Sequence, residues 1–322
     1  MTSITLPFQV ENENALLQLA RTVQTTNYQF TTATPATHER VNCRPGNERA
    51  RNLQDIFGWS RPFHRDLLPS EMFDQMRAAG VAVAHGDGWR SLVRLSSLHE
   101  QLFLHSAYPT VDADAVFFGP DTYRFAATLH HYFRAVDTGS RKVIRAVDIG
   151  CGAGPGAIVT ALARPEAQVL AVDINDRALS FARVNATLAG TPHVQPQHSN
   201  LLTGVEGVFD LIVANPPYLV DPAERAYRHG GGPLGAGLSL AIVEAAPERL
   251  SPGGTLLLYT GAAIVEGGDP FRAAIEERLA AAPGITWSYR EVDPDVFGEE
   301  LAGGAYATAD RIAAVVLTAT KR

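Results

Sequence analysis

From Val143 onward, short apolar runs alternate with segments of helical spacing: "VIRAVDIG", "GAIVTALAR", "QVLAVDI", "DRALSFARVNATLA", "HVQPQHS" and "FDLIVA", then "SLAIVEAAPERL" and "GTLLLYTG". Short apolar runs bounded by glycine and polar residues predict buried strands, and the longer segments between them predict helices. This alternation calls for an α/β fold with a doubly wound, mainly parallel sheet. The last stretch departs from it. "FRAAIEERLAAA" predicts a helix, whereas "ITWSYREVD" and "RIAAVVLTATKR" predict two strands, the second with no helix after it. An antiparallel ending at one edge of the sheet follows.

The chain up to about residue 115 shows no such alternation. "NALLQLARTVQ" has helical spacing, and "YQFTTATPATHERVNCRPGNER" is rich enough in Thr, Pro and Asn to predict a loop or a disordered patch. "LPSEMFDQMRAAG" predicts a short helix capped by Ser70, with Glu71 and Asp74 in its first turns and Gly80 at its end. "VAVAHGDGWRSLVRLSS" alternates around Gly86-Asp87-Gly88, which predicts a hairpin, and "HEQLFLHSAY" predicts another strand. A helix followed by a hairpin resembles a winged-helix arrangement, which serves as a nucleic-acid reader or as a docking or lid element. The expected division is residues 1–115, a smaller α+β recognition or lid domain, and residues 116–322, the α/β domain.

At 322 residues the chain has room for two domains, and 46% hydrophobic residues supply a sizeable core. A net charge of −7 argues against a standing nucleic-acid or anionic-membrane partner. Cys43 and Cys151 lie far apart, which fits a reducing interior and no disulfide framework. The start "MTSITLPFQVENENALLQLA" lacks the basic-then-apolar order of a secretory signal, and no apolar run is long enough to cross a bilayer. These readings predict a cytoplasmic protein. The ten histidines show no metal-ligand spacing, so no metal site is expected.

The chemistry concentrates at two strand ends. In "VDIGCGAGPG", Gly150, Gly152, Gly154 and Gly156 follow a predicted strand containing Asp148 and open a helix, where glycine lets the backbone turn tightly and approach a ligand. The next strand ends "AVDI", placing Asp173 and Ile174 where a carboxylate can accept both hydroxyls of a ribose. A dinucleotide and a phosphate-free nucleoside cofactor both remain open on this spacing. At the end of the fourth strand stands "NPPY", Asn215–Tyr218, whose two prolines cannot donate to a ladder and must end it.

The glycine motif resembles the first motif of class I S-adenosylmethionine (SAM) methyltransferases, and the resemblance runs through the reversed ending. It implies a Rossmann-like sheet and SAM as cofactor, with S-adenosylhomocysteine as product. Asp148, Gly150, Gly152, Gly154, Asp173, Ile174, Asn200, Leu201 and Asn215 are then the expected cofactor contacts. In that fold NPPY faces the methyl group. An amide or exocyclic amine is a poor nucleophile because its lone pair is delocalised. Two acceptors on its N–H bonds, the Asn215 side-chain oxygen and the Pro216 carbonyl, would aim it at the methyl carbon, with the prolines keeping the turn rigid. Tyr218 offers a stacking face.

NPPY together with "VFFGPDTYRFAATL" is most similar to the HemK/PrmC family, which methylates a glutamine amide of peptide-release factors. By that resemblance Pro120, Asp121, Thr122 and Tyr123 lie over the cofactor or acceptor pocket; on spacing alone, Asp121 also reads as the cap of a helix. Pro217, Tyr218, Tyr227, Arg228 and His229 are further expected substrate contacts, the last three on the glycine-rich "YRHGGGPLGAGLSL", expected as a mobile wall of the pocket or a connecting loop capped by Ser239. The sequence departs from the family at Asn200, where an aspartate is usual, and in its first 115 residues. The acceptor expected is therefore a planar nitrogen on a protein side chain or a small molecule. An adenine-N6 methyltransferase of DNA or RNA and a non-catalytic SAM-binding or winged-helix regulator are the alternatives.

Overall fold

The computed structural model describes residues 12–136 and 143–322. The stretch read for a secretory signal begins at residue 1, and its residues 1–11 lie outside those described. The first elements are α1 (Glu13–Gln24), α2 (Pro35–Asn42), α3 (Leu53–Phe57), α4 (Ser70–Ala78), β1 (Ala82–His85), β2 (Gly88–Ser91), β3 (Val93–Leu98) and β4 (Gln101–Ser106). There follow α5 (Pro120–Val136), β5 (Arg145–Ile149), α6 (Pro155–Ala163), β6 (Gln168–Asp173), α7 (Asp176–Leu188), β7 (Gln195–His198) and β8 (Phe209–Ala214). The chain closes with α8 (Gly237–Arg249), β9 (Leu250–Val265), α9 (Pro270–Ala280), β10 (Ile285–Asp293) and β11 (Ala309–Lys321). Two compact units emerge. One holds residues 1–123, 152–155 and 175–192, the other residues 124–151, 156–174 and 193–322.

In the first unit, α1 buries Leu16, Leu19, Ala20 and Val23, the i, i+3, i+4, i+7 stripe of an amphipathic helix. Its Asn12 cap accepts the Ala15 N–H at 3.0 Å. The stretch expected as loop or disorder contains α2 instead: Thr34 accepts the Thr37 N–H at 3.2 Å, and Pro35 sits in the first turn, where a missing N–H leaves nothing unpaired. Its sequence hid it because His38 is its one buried residue, so no apolar period marks it. In α4 the expected cap moves. Pro69 precedes the helix and Ser70 is its first residue, with no side-chain cap bond, while Gly80 takes the left-handed φ of +69° past its end. The expected hairpin is present, with His85 opposite Gly88 across Gly86-Asp87. Helix α7 belongs to this unit. Its buried Asn185 accepts the Leu104 N–H at 2.8 Å and donates to the carbonyls of Leu104 and Ala153, each at 2.9 Å.

The second unit is built on a seven-stranded sheet in the order β10-β11-β9-β8-β5-β6-β7. Strands β7, β6, β5, β8 and β9 run parallel to one another, and β11 runs antiparallel between β9 and β10. This is a Rossmann-like, mainly parallel sheet with a reversed last strand, as expected. Leu211, Ile212, Val213 and Ala214 of β8 are all buried, which is why the run reads as unbroken apolar sequence. Each large aliphatic side chain of this kind contributes about 1.5–3 kcal/mol on burial. Strand order reverses direction at β5, which lies between β6 and β8, and ligands bind beyond the carboxyl ends of strands at such a point.

Candidate active site

β5 delivers Asp148, only 2% exposed. Its Oδ2 accepts the N–H of Ala157, in the first turns of α6, at 2.8 Å. Burial pushes this carboxyl up to about 7, against the lowering effect of that N–H and with a further upward push from Asp173. Asp148 thus braces the start of α6 from below. A Cβ at Gly156 would lie 2.6 Å from that carboxylate oxygen and 2.7 Å from the Phe125 ring, so glycine is required for the helix to close on it. Gly150, Gly152 and Gly154 have φ of +66°, +53° and +86°, the left-handed region open to glycine. A Cβ at Gly150 would meet nothing within 4 Å, so the backbone there borders open space. The Cys151 N–H donates to the Val172 carbonyl at 3.0 Å and ties the loop to β6.

Asp173 ends β6 half-buried, its carbonyl accepting the Ser199 N–H at 3.0 Å. Ile174 follows, 55% exposed, an apolar side chain in the open beside a carboxylate. Asn200 is exposed after β7, and its carbonyl receives the Thr203 N–H at 3.1 Å and hydroxyl at 2.8 Å. Leu201, with φ +51°, completes that turn.

Ile149 is in register with Ala214 across β5 and β8. Gly150 and Asn215 are therefore the next residues along two adjacent parallel strands, about one strand spacing apart. Asn215 is half-buried, and among the described residues its carboxamide makes no hydrogen bond. Pro216 is buried and Pro217 half-buried. Tyr218 is 6% exposed, edge-on to Phe297 at 5.8 Å, and a Cβ at Gly261 would lie 2.2 Å from its ring. One ring face thus rests on the bare backbone of β9.

Residues 133–264 match the family model described as the methyltransferase small domain. The release factor glutamine methyltransferase of Deinococcus radiodurans is 38% identical over 167 residues, 48% of this chain and 55% of its own length. The ribosomal protein uL3 glutamine methyltransferase of Xanthomonas campestris pv. campestris is 37% identical over 134 residues, 38% of this chain and 44% of its own. The chain spans about half the length of the curated relatives it matches. The solved 16S rRNA N2 G1207 methyltransferase of T. thermophilus, in complex with AdoMet and guanosine, aligns with a TM-score of 0.46 at 17% identity over 81% of this chain and 64% of that one.

Beyond NPPY, the chain carries a braced loop where a mobile wall was expected. The Leu219 N–H donates to the Arg228 carbonyl at 3.2 Å, the Gly230 N–H to the Leu219 carbonyl at 2.8 Å, and the Leu238 N–H to the Gly230 carbonyl at 2.7 Å. Asp221, 3% exposed, accepts from Arg225 Nε and Nη2, each at 2.7 Å, and from the Arg225 N–H at 3.0 Å. The Arg225 side chain beside it draws this carboxyl down to about 2. His229 Nδ1 accepts the Asp221 N–H at 3.1 Å, Arg228 pairs with Glu300, and Tyr227 lies 5.5 Å beneath Arg225. All three expected contact residues of this loop are therefore engaged within the protein. Ser239 is the third residue of α8, not its cap: its hydroxyl meets the Thr260 hydroxyl at 2.7 Å, buried.

Several braces of this loop lie outside the matched segment. The Tyr306 hydroxyl accepts the Val220 N–H at 3.0 Å and donates to the Leu234 carbonyl at 3.2 Å. Phe297 and Glu300 act as described. Their partners are 72 to 86 residues away in sequence, a separation no local pattern reveals. Asp221 and Arg225 had a visible signal, the i, i+4 spacing of opposite charges.

In the first unit, α5 begins at Pro120, so Asp121 stands inside its first turn and not at the cap expected for it. Asp121 and Thr122 are buried. The Thr122 hydroxyl accepts the Gly119 N–H at 3.3 Å, and its N–H donates to the Gly119 carbonyl at 2.9 Å. The Tyr123 hydroxyl accepts the Thr32 N–H at 3.0 Å.

Proposed function

We propose that the chain is a SAM-dependent N-methyltransferase acting on a planar amide nitrogen of a protein side chain. The observation that carries the reading is the Asn215 carboxamide, without a hydrogen-bond partner among the described residues and beside the open backbone of Gly150. The names of the curated relatives, glutamine methyltransferases of a release factor and of a ribosomal protein, support an amide on a protein as the acceptor. Within the α/β unit the residues fit the cofactor: space beside Gly150, the Asp173 carboxylate for the ribose hydroxyls, exposed Ile174 for the adenine face, and the Asn200 side-chain oxygen with Leu201 for its amino edge. Gly152 and Gly154 have left-handed backbones of the same kind.

When bound, SAM supplies an electrophilic methyl carbon. The protein's part is to hold the nucleophile. Asn215 Oδ1 and the Pro216 carbonyl accept the two N–H bonds of the acceptor, orient its lone pair and favour a more tetrahedral nitrogen. No base need act first, because the nitrogen becomes acidic once it is methylated and releases its proton to water. Tyr218 and Pro217 wall the acceptor. Residues 1–115, with the Pro120–Tyr123 segment, serve acceptor recognition. Both cysteines are free, and no helix among the described residues is long and apolar enough to cross a membrane, which supports a cytoplasmic setting.

The test is methyl transfer from isotopically labelled cofactor into cell extract, with mass spectrometry classing the product. A labelled protein amide is expected, and Asn215→Ala should lower turnover about 100-fold with cofactor affinity changed less than threefold. Label on nucleic acid or a metabolite, or full turnover in Asn215→Ala, refutes the reading.

A further inference from the structure

The first unit contains a cleft that the methyl-transfer chemistry does not use. It is small and partly open to solvent, and Thr32, His38, Arg94, His105, Tyr108 and Phe118 are among its walls. Two buried groups in it lack what burial demands. Arg94 is 4% exposed. Its Nε donates to the Gly58 carbonyl at 2.9 Å and its Nη2 reaches the Thr32 hydroxyl at 3.5 Å, yet among the described residues no carboxylate pairs with it, and Nη1, at the solvent-touched side of the group, has no protein acceptor. Arg61, in the same unit and equally buried, is held by Asp55. A buried cation without a counter-charge is unfavourable, and burial has drawn the Arg94 guanidinium down to about 10.

The second group is His38, 1% exposed. Its Nε2 lies 2.8 Å from the Trp59 carbonyl, which can only accept, so Nε2 carries the proton. Nδ1 is then a bare acceptor, buried and without a partner among the described residues. The other polar wall is already satisfied. His105 Nδ1 donates to the Ser106 carbonyl, its Nε2 accepts from the Ser96 hydroxyl, and Ser96 in turn meets Thr32. Arg90 adds positive charge nearby, donating to the Tyr108 carbonyl. A chain of net charge −7 thus keeps an unneutralised cationic cleft.

We propose that this cleft binds a small oxyanion, the head of a phosphate or a carboxylate, whose charged oxygens accept from Arg94 and whose own hydroxyl or accompanying water donates to His38 Nδ1. The pairing supplies both missing partners at once: an acceptor for the guanidinium and a donor for the imidazole. It stands independently of the methyl-transfer reading, because every wall residue belongs to the first unit.

The test uses the whole chain at constant ionic strength, titrated with inorganic phosphate or with acetate against a chloride reference. Thermal midpoint and the ring ¹⁵N signals of His38 are followed together. At least one oxyanion should raise the midpoint saturably and move the His38 signals with the same midpoint concentration; the tighter of the two identifies the head group. Arg94→Gln should weaken that binding at least tenfold, and Asp173→Ala, which alters the cofactor site, should leave it unchanged. Should Arg94→Gln fail to fold, the wild-type His38 signals decide. Signals that stay still for both anions, or binding abolished by Asp173→Ala and retained in Arg94→Gln, overturn the proposal.

Discussion

Asp148 and Asp221 are both carboxylates buried to within 3% of complete, and both steady a loop beyond the carboxyl end of a central strand. Their surroundings are opposite. Among the described residues Asp148 faces a single backbone N–H and no cation, so loss of water dominates and its carboxyl rises to about 7. Asp221 grips the Arg225 guanidinium through two oxygens and falls to about 2. The cofactor side of the proposed site is thus held by a group that titrates near neutrality, the acceptor side by one that stays charged throughout. Burial alone does not set the charge of an aspartate; the partner does.

The widest separation should appear in carboxyl-carbon NMR titrations, with midpoints near 7 for Asp148 and near 2 for Asp221; coincident midpoints would erase the contrast. The stability consequences have opposite signs. Asp148, raised in the folded state above its unfolded value of about 3.9, contributes most below pH ~4 and loses that contribution as pH rises through about 7. Asp221, lowered in the folded state, contributes above pH ~4 and loses it as pH falls through about 2. Removing the ion pair comes next in size. Asp221→Ala should destabilise by about 2–3 kcal/mol in chemical denaturation, less than for a wholly buried pair because the Arg225 side chain remains 25% exposed.

On the cofactor side, Asp173→Ala should weaken SAM binding about tenfold to thirtyfold by calorimetry, from the loss of charge-assisted bonds to the ribose. Turnover at saturating cofactor should change far less, the reverse of Asn215→Ala. Unaltered affinity would detach Asp173 from the pocket. The smallest effect belongs to the α8–β9 contact: Ser239→Ala should cost about 1 kcal/mol by removing one buried hydroxyl pair, with no change in cofactor affinity.

The sheet was legible because its central strands are buried on both faces and therefore read as uninterrupted apolar runs, from "RAVDI" to "FDLIVA". The glycine loop was legible for a related reason: its left-handed φ values leave few other residues possible. Capping serines were misplaced because Ser70 and Ser239 stand near helix starts, which composition shows, while the cap positions fall in the folded chain to Pro69 and Ala236. Helix α2 went unseen because it buries one histidine and no apolar stripe. The braces at Phe297, Glu300 and Tyr306 depend on three-dimensional closure across the sheet, and neither composition nor period encodes that.

The bare backbone at Gly261 carries one more implication. The Tyr218 ring occupies volume that any other residue's first side-chain carbon would claim. The depth at which that aromatic sits is therefore set from underneath, by atoms that are missing. A single methyl at position 261 would act as a shim, lifting the ring toward whatever lies above it. The room above the turn is in this way adjustable from the strand beneath it.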